Sequence, residues 1–262
     1  DMNQTMYEGF AHYTDNQASR IDVQQEAQAQ QQGQRVGISQ AHESAMLHVA
    51  GEAAYIDDLP ELAGTLHCAL GLSPIAHGQL VALDMDAVRA MPDVVAVLTA
   101  ADIPGVNDCG SIIHDDPILC DGEIRYLGQP LFAVLARTRI AARRAAALAK
   151  KIATVQEVEP VLTPQQAHQR GQYVLPPLHL ERSTDEGGAA KALALAAHRL
   201  QGTWDVGGQE QFYLEGQISY AIPKEGQAMH VLCSTQHPSE MQHLVAHALG
   251  VASHDVHVEC RR

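Results

Sequence analysis

Three short apolar runs, residues 66–72, 94–98 and 131–135, limit this chain more than any other feature of it. Each has the length of a buried strand and is bounded by Gly, Pro, Ser or Asp, while helix-forming stretches separate or follow them. The pattern predicts a mixed α/β chain of the α+β class. Between the second and third runs, residues 101–105 close on Pro104-Gly105, and an irregular acidic loop follows around His114-Asp115-Asp116-Pro117; both read as connections. Residues 138–151 are rich in Ala and Arg and end in Lys150-Lys151, which predicts a helix packed on a sheet with its positive end placed to suit the helix dipole. Apolar residues make up 46% of the 262 but aromatics only 4%, so the core is expected to consist of Ala, Val and Leu.

The rest of the chain divides by composition. Residues 1–42 form a Gln-rich arm with Gln24-Gln25 and Gln30-Gln31-Gln32, too polar to offset the entropy of ordering and therefore expected to be disordered. Residues 43–157 read as a first globular domain. Residues 158–185 turn to Gln, Pro and Gly and read as an extended linker, and residues 186–262 as the start of a second domain. There an Ala-rich helix over 189–198 precedes a hairpin pair, 218–222 and 229–233, joined through Pro223-Lys224-Glu225-Gly226. A further helix begins at Pro238 and stops at Gly250. The first residue is Asp rather than Met and the last three are Cys260-Arg261-Arg262, which suggests a piece of a longer polypeptide.

Several function classes lose support at once. The net charge of −14 argues against nucleic-acid binding. No apolar stretch approaches the roughly 18 residues of a membrane helix and no leader opens the chain, so a cytoplasmic location is expected. Five scattered cysteines, Cys68, Cys109, Cys120, Cys233 and Cys260, form no Cys-x-x-Cys pair and read as reduced core thiols. Glu240, His243 and His247 share one face of the predicted helix, but Met241, Leu244, Val245, Ala248 and Leu249 form the opposite stripe, so a solvated polar face is the better reading than a metal site. No nucleotide loop, zinc-protease motif or serine elbow is present. Asp57-Asp58 and Asp115-Asp116 are paired carboxylates in loops, where solvation is the ordinary state.

The segment Val206-Gly207-Gly208-Gln209-Glu210-Gln211-Phe212-Tyr213-Leu214-Glu215 is harder to set aside. Two glycines permit close backbone approach, Gln209 offers neutral donors and an acceptor that suit an oxo- or phosphate-bearing cofactor, and Phe212 and Tyr213 could wall a pocket. Spacing alone leaves open a hairpin or bulge glycine pair beside an ordinary buried amide.

Residues 207–215 closely resemble the cofactor-approach segment of the xanthine dehydrogenase large, molybdopterin-binding subunit of bacterial type, within the xanthine oxidase/aldehyde oxidase molybdenum hydroxylase family. His42-Glu43-Ser44-Ala45, His48-Val49-Ala50-Gly51-Glu52-Ala53 and Tyr55-Ile56-Asp57-Asp58 resemble that subunit's opening. Leu98-Thr99-Ala100-Ala101-Asp102-Ile103-Pro104-Gly105, Gly128-Gln129-Pro130 and Ser234-Thr235-Gln236-His237-Pro238-Ser239-Glu240 resemble further landmarks, in order, so that the likeness runs from about residue 37 to 262. Residues 153–159 depart from the family's Tyr-Glu-Glu-type strand ending, which leaves that strand's register open.

The resemblance implies an α/β hammerhead domain followed by the truncated start of a molybdenum-cofactor-binding domain. It implies hydroxylation of xanthine or hypoxanthine to urate, with water as oxygen source and NAD as final acceptor. Gln209 would hydrogen-bond an oxo ligand of the molybdenum, with Gly208 and Phe212 at the pocket wall. No residue of this chain would ligate the metal directly or act as the catalytic base. Iron-sulfur clusters and FAD would sit on a small partner subunit, in a complex of two large and two small subunits. A related aldehyde or heterocycle hydroxylase subunit and a non-catalytic scaffold are the alternative readings.

Overall fold

A computed structural model describes Gly33, Val36, residues 41–178 and residues 187–261. The Gln-rich arm lies almost wholly outside the described residues, as do 179–186 of the stretch read as a linker. The chain divides into two units between Ala54 and Tyr55. In the first, helix α1 (Ala45–Ala50) ends where Gly51 takes up a left-handed conformation, φ 72°, as helix-terminating glycines commonly do.

The second unit opens with two antiparallel three-stranded sheets. The first is ordered β1-β5-β3, from β1 (His67–Leu72), β3 (Val94–Leu98) and β5 (Pro130–Ala136). The second is ordered β4-β2-β6, from β2 (Gly78–Leu83), β4 (Glu123–Ile124) and β6 (Ala153–Glu157). Strand β5 is central, and Leu131, Phe132, Val134 and Ala136 on it are inaccessible to solvent. Opposite Phe132 stands Gly71, where a Cβ would come within 2.2 Å of the ring; the ring occupies the space that a side chain would need. The register left open at 153–159 is settled: β6 pairs with β2 from Gly78↔Glu157 to Leu83↔Ala153, with an irregularity between Leu80 and Ala82.

Helix α2 (Asp86–Arg89) leads into β3. The single helix expected over 138–151 is instead two, α3 (Arg139–Ala146) and α4 (Ala149–Ile152). Thr138 caps α3 by accepting from Ala141 N at 3.1 Å, the usual role of a threonine there. At the break the bonds tighten to Leu148 N→Ala145 O and Lys151 N→Leu148 O, a 3₁₀ spacing. Ala145, Ala146, Ala149 and Ile152 all enter the core shared with Phe132, Val134, Val97 and Ile124, so small side chains let the helices lie close on the strands.

Helix α5 (Pro164–Gln169), capped by Thr163, lies within the stretch read as extended. Helix α6 (Gly188–Leu195) begins the remaining part. Strands β7 (Ser219–Pro223) and β8 (Met229–Cys233) form the expected antiparallel hairpin, and β9 (Val256–Glu259) lies parallel to β8. The crossover between β8 and β9 is helix α7 (Pro238–Leu249), with Pro238 in its first turn and Gly250 left-handed, φ 69°, at its end. Val231, Cys233, Ala246 and Val256 form a second small core with Met241 and Val245 beside them. The buried stripe of α7 is thus turned toward Ala246, which the periodicity had left off the apolar face. The loop at Gly105 meets the end of α7: Gly105 N donates to Ala248 O at 2.9 Å and Val106 N to His247 O at 3.1 Å. These satisfy helix carbonyls that have no partner within the helix.

Candidate functional site

Gln209 stands in the irregular stretch between α6 and β7, and its foot is well tied. Ser234 Oγ donates to Gly216 O at 3.0 Å and accepts from Ile218 N at 3.1 Å. Glu215 Oε1 accepts from Ile56 N at 3.2 Å. Higher in the loop, Phe212 N donates to Glu210 Oε2 at 2.8 Å, a local contact that holds Phe212 at φ 50°, a conformation few non-glycine residues adopt. Gly208 and Gln209 are exposed. A Cβ added at Gly207 or Gly208 would meet nothing within 4 Å, and Phe212 is 93% exposed. The three residues singled out in the sequence therefore share one open loop, and among the described residues no other element closes a pocket over them. A cavity of about 440 Å³ opens at the loop's foot instead, lined by Gly216, Tyr220, Ile56, Thr65, His67 and Arg139.

That cavity is polar because its walls are ion pairs. Arg139 Nη2 lies 3.0 Å from Glu61 Oε1 and 3.2 Å from Asp57 Oδ1. Exposed pairs of this kind contribute little stability each. Asp57-Asp58, one of the carboxylate pairs, has structural partners: Asp57 takes Arg139, and Asp58 Oδ2 accepts from Tyr55 N at 2.8 Å. Tyr220 OH accepts from Leu62 N at 2.9 Å and lies 3.2 Å from Thr65 Oγ1, tying β7 to the approach to β1.

Sequence reasoning missed Asp108. It is 7% exposed, and its carboxylate receives His114 Nδ1 at 2.8 Å, Asp116 N at 3.1 Å and Gly110 N at 3.2 Å. Burial pushes its pKa up, but the hydrogen bonds from His114, Gly110 and Asp116 outweigh that and hold it below the ordinary carboxylate value. The loop read as loosely acidic is in fact organised about this one anion. Only its short sequence distance to the amides of Gly110 and Asp116 could have signalled that.

Two other readings change. Only Cys120 and Cys233 are buried thiols, whereas Cys68 and Cys109 are exposed and Cys260 is intermediate. Cys68 lies on the face of β1 turned away from the core, because strand side chains alternate. On α7, His243 and His247 are exposed, and His243 Nδ1 meets Ser253 Oγ at 3.0 Å. Among the described residues no group of three or more His, Cys, Asp or Glu is placed to hold a metal ion, and no helix is long and apolar enough to cross a membrane.

Residues 50–173 match the family model for the aldehyde oxidase and xanthine dehydrogenase a/b hammerhead domain, and residues 169–262 match that for the molybdopterin cofactor-binding domain. Xanthine dehydrogenase from Drosophila subobscura is 34% identical over 229 residues, covering 87% of this chain and 17% of that protein. Aldehyde oxidase 2 from Cavia porcellus is 36% identical over 245 residues, covering 93% and 17%. Among solved structures, quinoline 2-oxidoreductase from Pseudomonas putida 86 superposes with a TM-score of 0.67 at 26% identity, over 85% of this chain and 30% of that one. The aldehyde oxidoreductase of Desulfovibrio gigas gives 0.70 at 22% identity, over 84% and 26%, a likeness of fold. Together these define a hammerhead domain followed by the start of a molybdopterin cofactor-binding domain. The chain belongs to the molybdenum hydroxylase family of xanthine dehydrogenases and aldehyde oxidases, and it spans about one sixth of the length of those curated relatives.

Proposed function

We propose that this chain is part of the molybdenum-binding subunit of a cytoplasmic xanthine dehydrogenase, which hydroxylates xanthine or hypoxanthine to urate with water as the oxygen source and NAD as final acceptor. The observation that carries this reading is the match to xanthine dehydrogenase along 229 residues at 34% identity. Domain limits of 43–157 for the hammerhead, 158–185 for the connection and 186–262 for the cofactor-binding part belong to the same reading. So do iron-sulfur clusters and FAD on a small partner subunit, in a complex of two large and two small subunits.

The residues at the loop suit the cofactor by their chemistry. Gln209 is a neutral amide, a donor and acceptor with little tendency to displace a metal's own ligands. Gly207 and Gly208 leave open space beside it, into which a bulky group can come against backbone. When bound, molybdopterin-held molybdenum supplies the two-electron redox chemistry. The part of this chain would be positioning and electrostatics: Gln209 would hold the cofactor through a hydrogen bond from its Nε2–H to an oxo group, and a donor held in that place would stabilise negative charge there. Ser234 and Glu215 hold the loop's foot, and Phe212 and Tyr213 would offer apolar surface to the bound cofactor.

A second reading, an aldehyde or heterocycle hydroxylase, draws on the 36% identity to aldehyde oxidase 2. The test is to assay the complete assembly side by side with xanthine, an aromatic aldehyde and quinoline, following urate by absorbance. Urate formation coupled to NAD reduction is the expected result. Aldehyde or quinoline turnover without urate would overturn the xanthine assignment and select the second reading.

A further inference from the structure

The parallel pairing of β8 and β9 advances one residue at a time through Met229↔Val256, His230↔His257, Val231↔Val258 and Leu232↔Glu259. Continued one residue past the end of β9, the same register sets Cys233 opposite Cys260. Residues facing each other across such a ladder project to the same side, and those two apart on one strand do as well. Val231, Cys233, Val256 and Val258 all enter the core beneath α7, so Cys260, two residues beyond Val258, falls on the side that Cys233 occupies. Neighbouring strands lie about 4.8 Å apart, inside the roughly 4.4–6.8 Å between Cα atoms that a disulfide spans.

One further contact brings the thiols to the same stretch of chain. Cys260 Sγ donates to Thr235 O at 2.8 Å, which brings it to the chain just beyond Cys233. Burial pushes the Cys233 thiol pKa up, and the nearby Cys260 and Glu215 push it further. The two differ in access, Cys233 being wholly buried and Cys260 intermediate.

We propose that Cys233 and Cys260 are a redox modification site, a dithiol that closes to a disulfide across the ends of β8 and β9 in exchange with a small disulfide such as glutathione disulfide. The reachable Cys260, as thiolate, attacks one sulfur of glutathione disulfide; a Cys260–glutathione bond forms and one glutathione leaves as thiolate. Cys233 then gives its proton to that thiolate and attacks the Cys260 sulfur, forming the protein disulfide and releasing the second glutathione. Two protein thiols are oxidised, and the two electrons reduce one glutathione disulfide to two glutathiones. Burial keeps Cys233 out of direct reach of glutathione disulfide, so it attacks only after Cys260 has formed the mixed disulfide and acts as the resolving thiol. Ser234, next to Cys233, holds Gly216 and Ile218 at the foot of the Gln209 loop, so closure pins the base of that loop. The proposal stands whether or not Gln209 has the role given above.

The test is to incubate the purified chain with glutathione disulfide, quench with acid, block remaining thiols by alkylation, and map the peptides by mass spectrometry. The expected product is a Cys233–Cys260 cross-linked peptide, about 2 Da lighter than its two thiols because two hydrogens are lost, and abolished by dithiothreitol. Cys233→Ser, with Cys233→Ala as the alternative should the serine variant fail to fold, is expected to leave Cys260 as a lasting glutathione adduct. Recovery of both cysteines alkylated in the unsubstituted chain, or of a lasting adduct at Cys260 there, overturns the proposal; exposed Cys68 serves as the internal control that the oxidant reached the protein.

Discussion

Substituting Gly105→Ala tests how the hammerhead and the cofactor-binding part are joined. A Cβ at Gly105 would lie 2.0 Å from His247 O, 2.6 Å from Gly250 N and 2.9 Å from Ala248 O. All three are backbone atoms, so no side-chain rotation can relieve the contact, and the loop must withdraw from α7. Withdrawal breaks Gly105 N→Ala248 O and Val106 N→His247 O, each contributing about 1 kcal/mol net. Whatever contact persists adds overpacking of about 1–3 kcal/mol, so the expected loss is about 3–5 kcal/mol. With a urea dependence near 3 kcal/mol per M, the midpoint followed by far-UV circular dichroism falls by about 1–1.7 M, or the single transition splits as α7 and its sheet melt first. Gly202→Ala is the control: its Cβ would meet nothing within 4 Å, and its midpoint is expected to hold or rise slightly. Equal midpoints for the two variants would refute the clamp.

Three further outcomes follow from the same geometry. Gly71→Ala forces a Cβ to within 2.2 Å of the Phe132 ring and is expected to cost about 1–3 kcal/mol in urea denaturation. Thr138→Ala removes the cap on Ala141 N and is expected to cost about 1 kcal/mol by the same assay. Because Asp108 has a lowered pKa in the fold, its stabilising effect is complete above the ordinary carboxylate pKa and disappears as pH falls through its depressed value. Denaturation midpoints from pH 6 down to pH 3 should therefore fall more steeply for the unsubstituted chain than for Asp108→Asn, with the two curves parallel above pH 5.

What was legible in the sequence depended on how local the cause was. The runs at 66–72, 94–98 and 131–135 became β1, β3 and β5 because short, mainly apolar stretches between turn residues leave little choice. The hairpin of β7 and β8 and the limits of α7 followed from Pro223-Lys224-Glu225-Gly226, Pro238 and Gly250 for the same reason. Strand β4 has only two residues and β2 needs Gly78 at φ 155°, so pairing across the fold, rather than local preference, creates them. Ala246 is the buried residue of α7 because β8 and β9 approach from its side, a direction that no helical period contains. Asp108 gains its three donors only when the loop from Gly110 to Asp116 closes on it. At Gln209, residue chemistry pointed to a cofactor contact, and the loop around it is open.

The most direct measurement is steady-state turnover of xanthine by the complete assembly carrying Gln209→Ala, taken together with its molybdenum content. The account predicts full molybdenum loading, an unchanged KM to within about twofold and a kcat lower by about 10²-fold, the loss associated with one preorganised donor. Unchanged kcat at full loading would contradict the role given to Gln209.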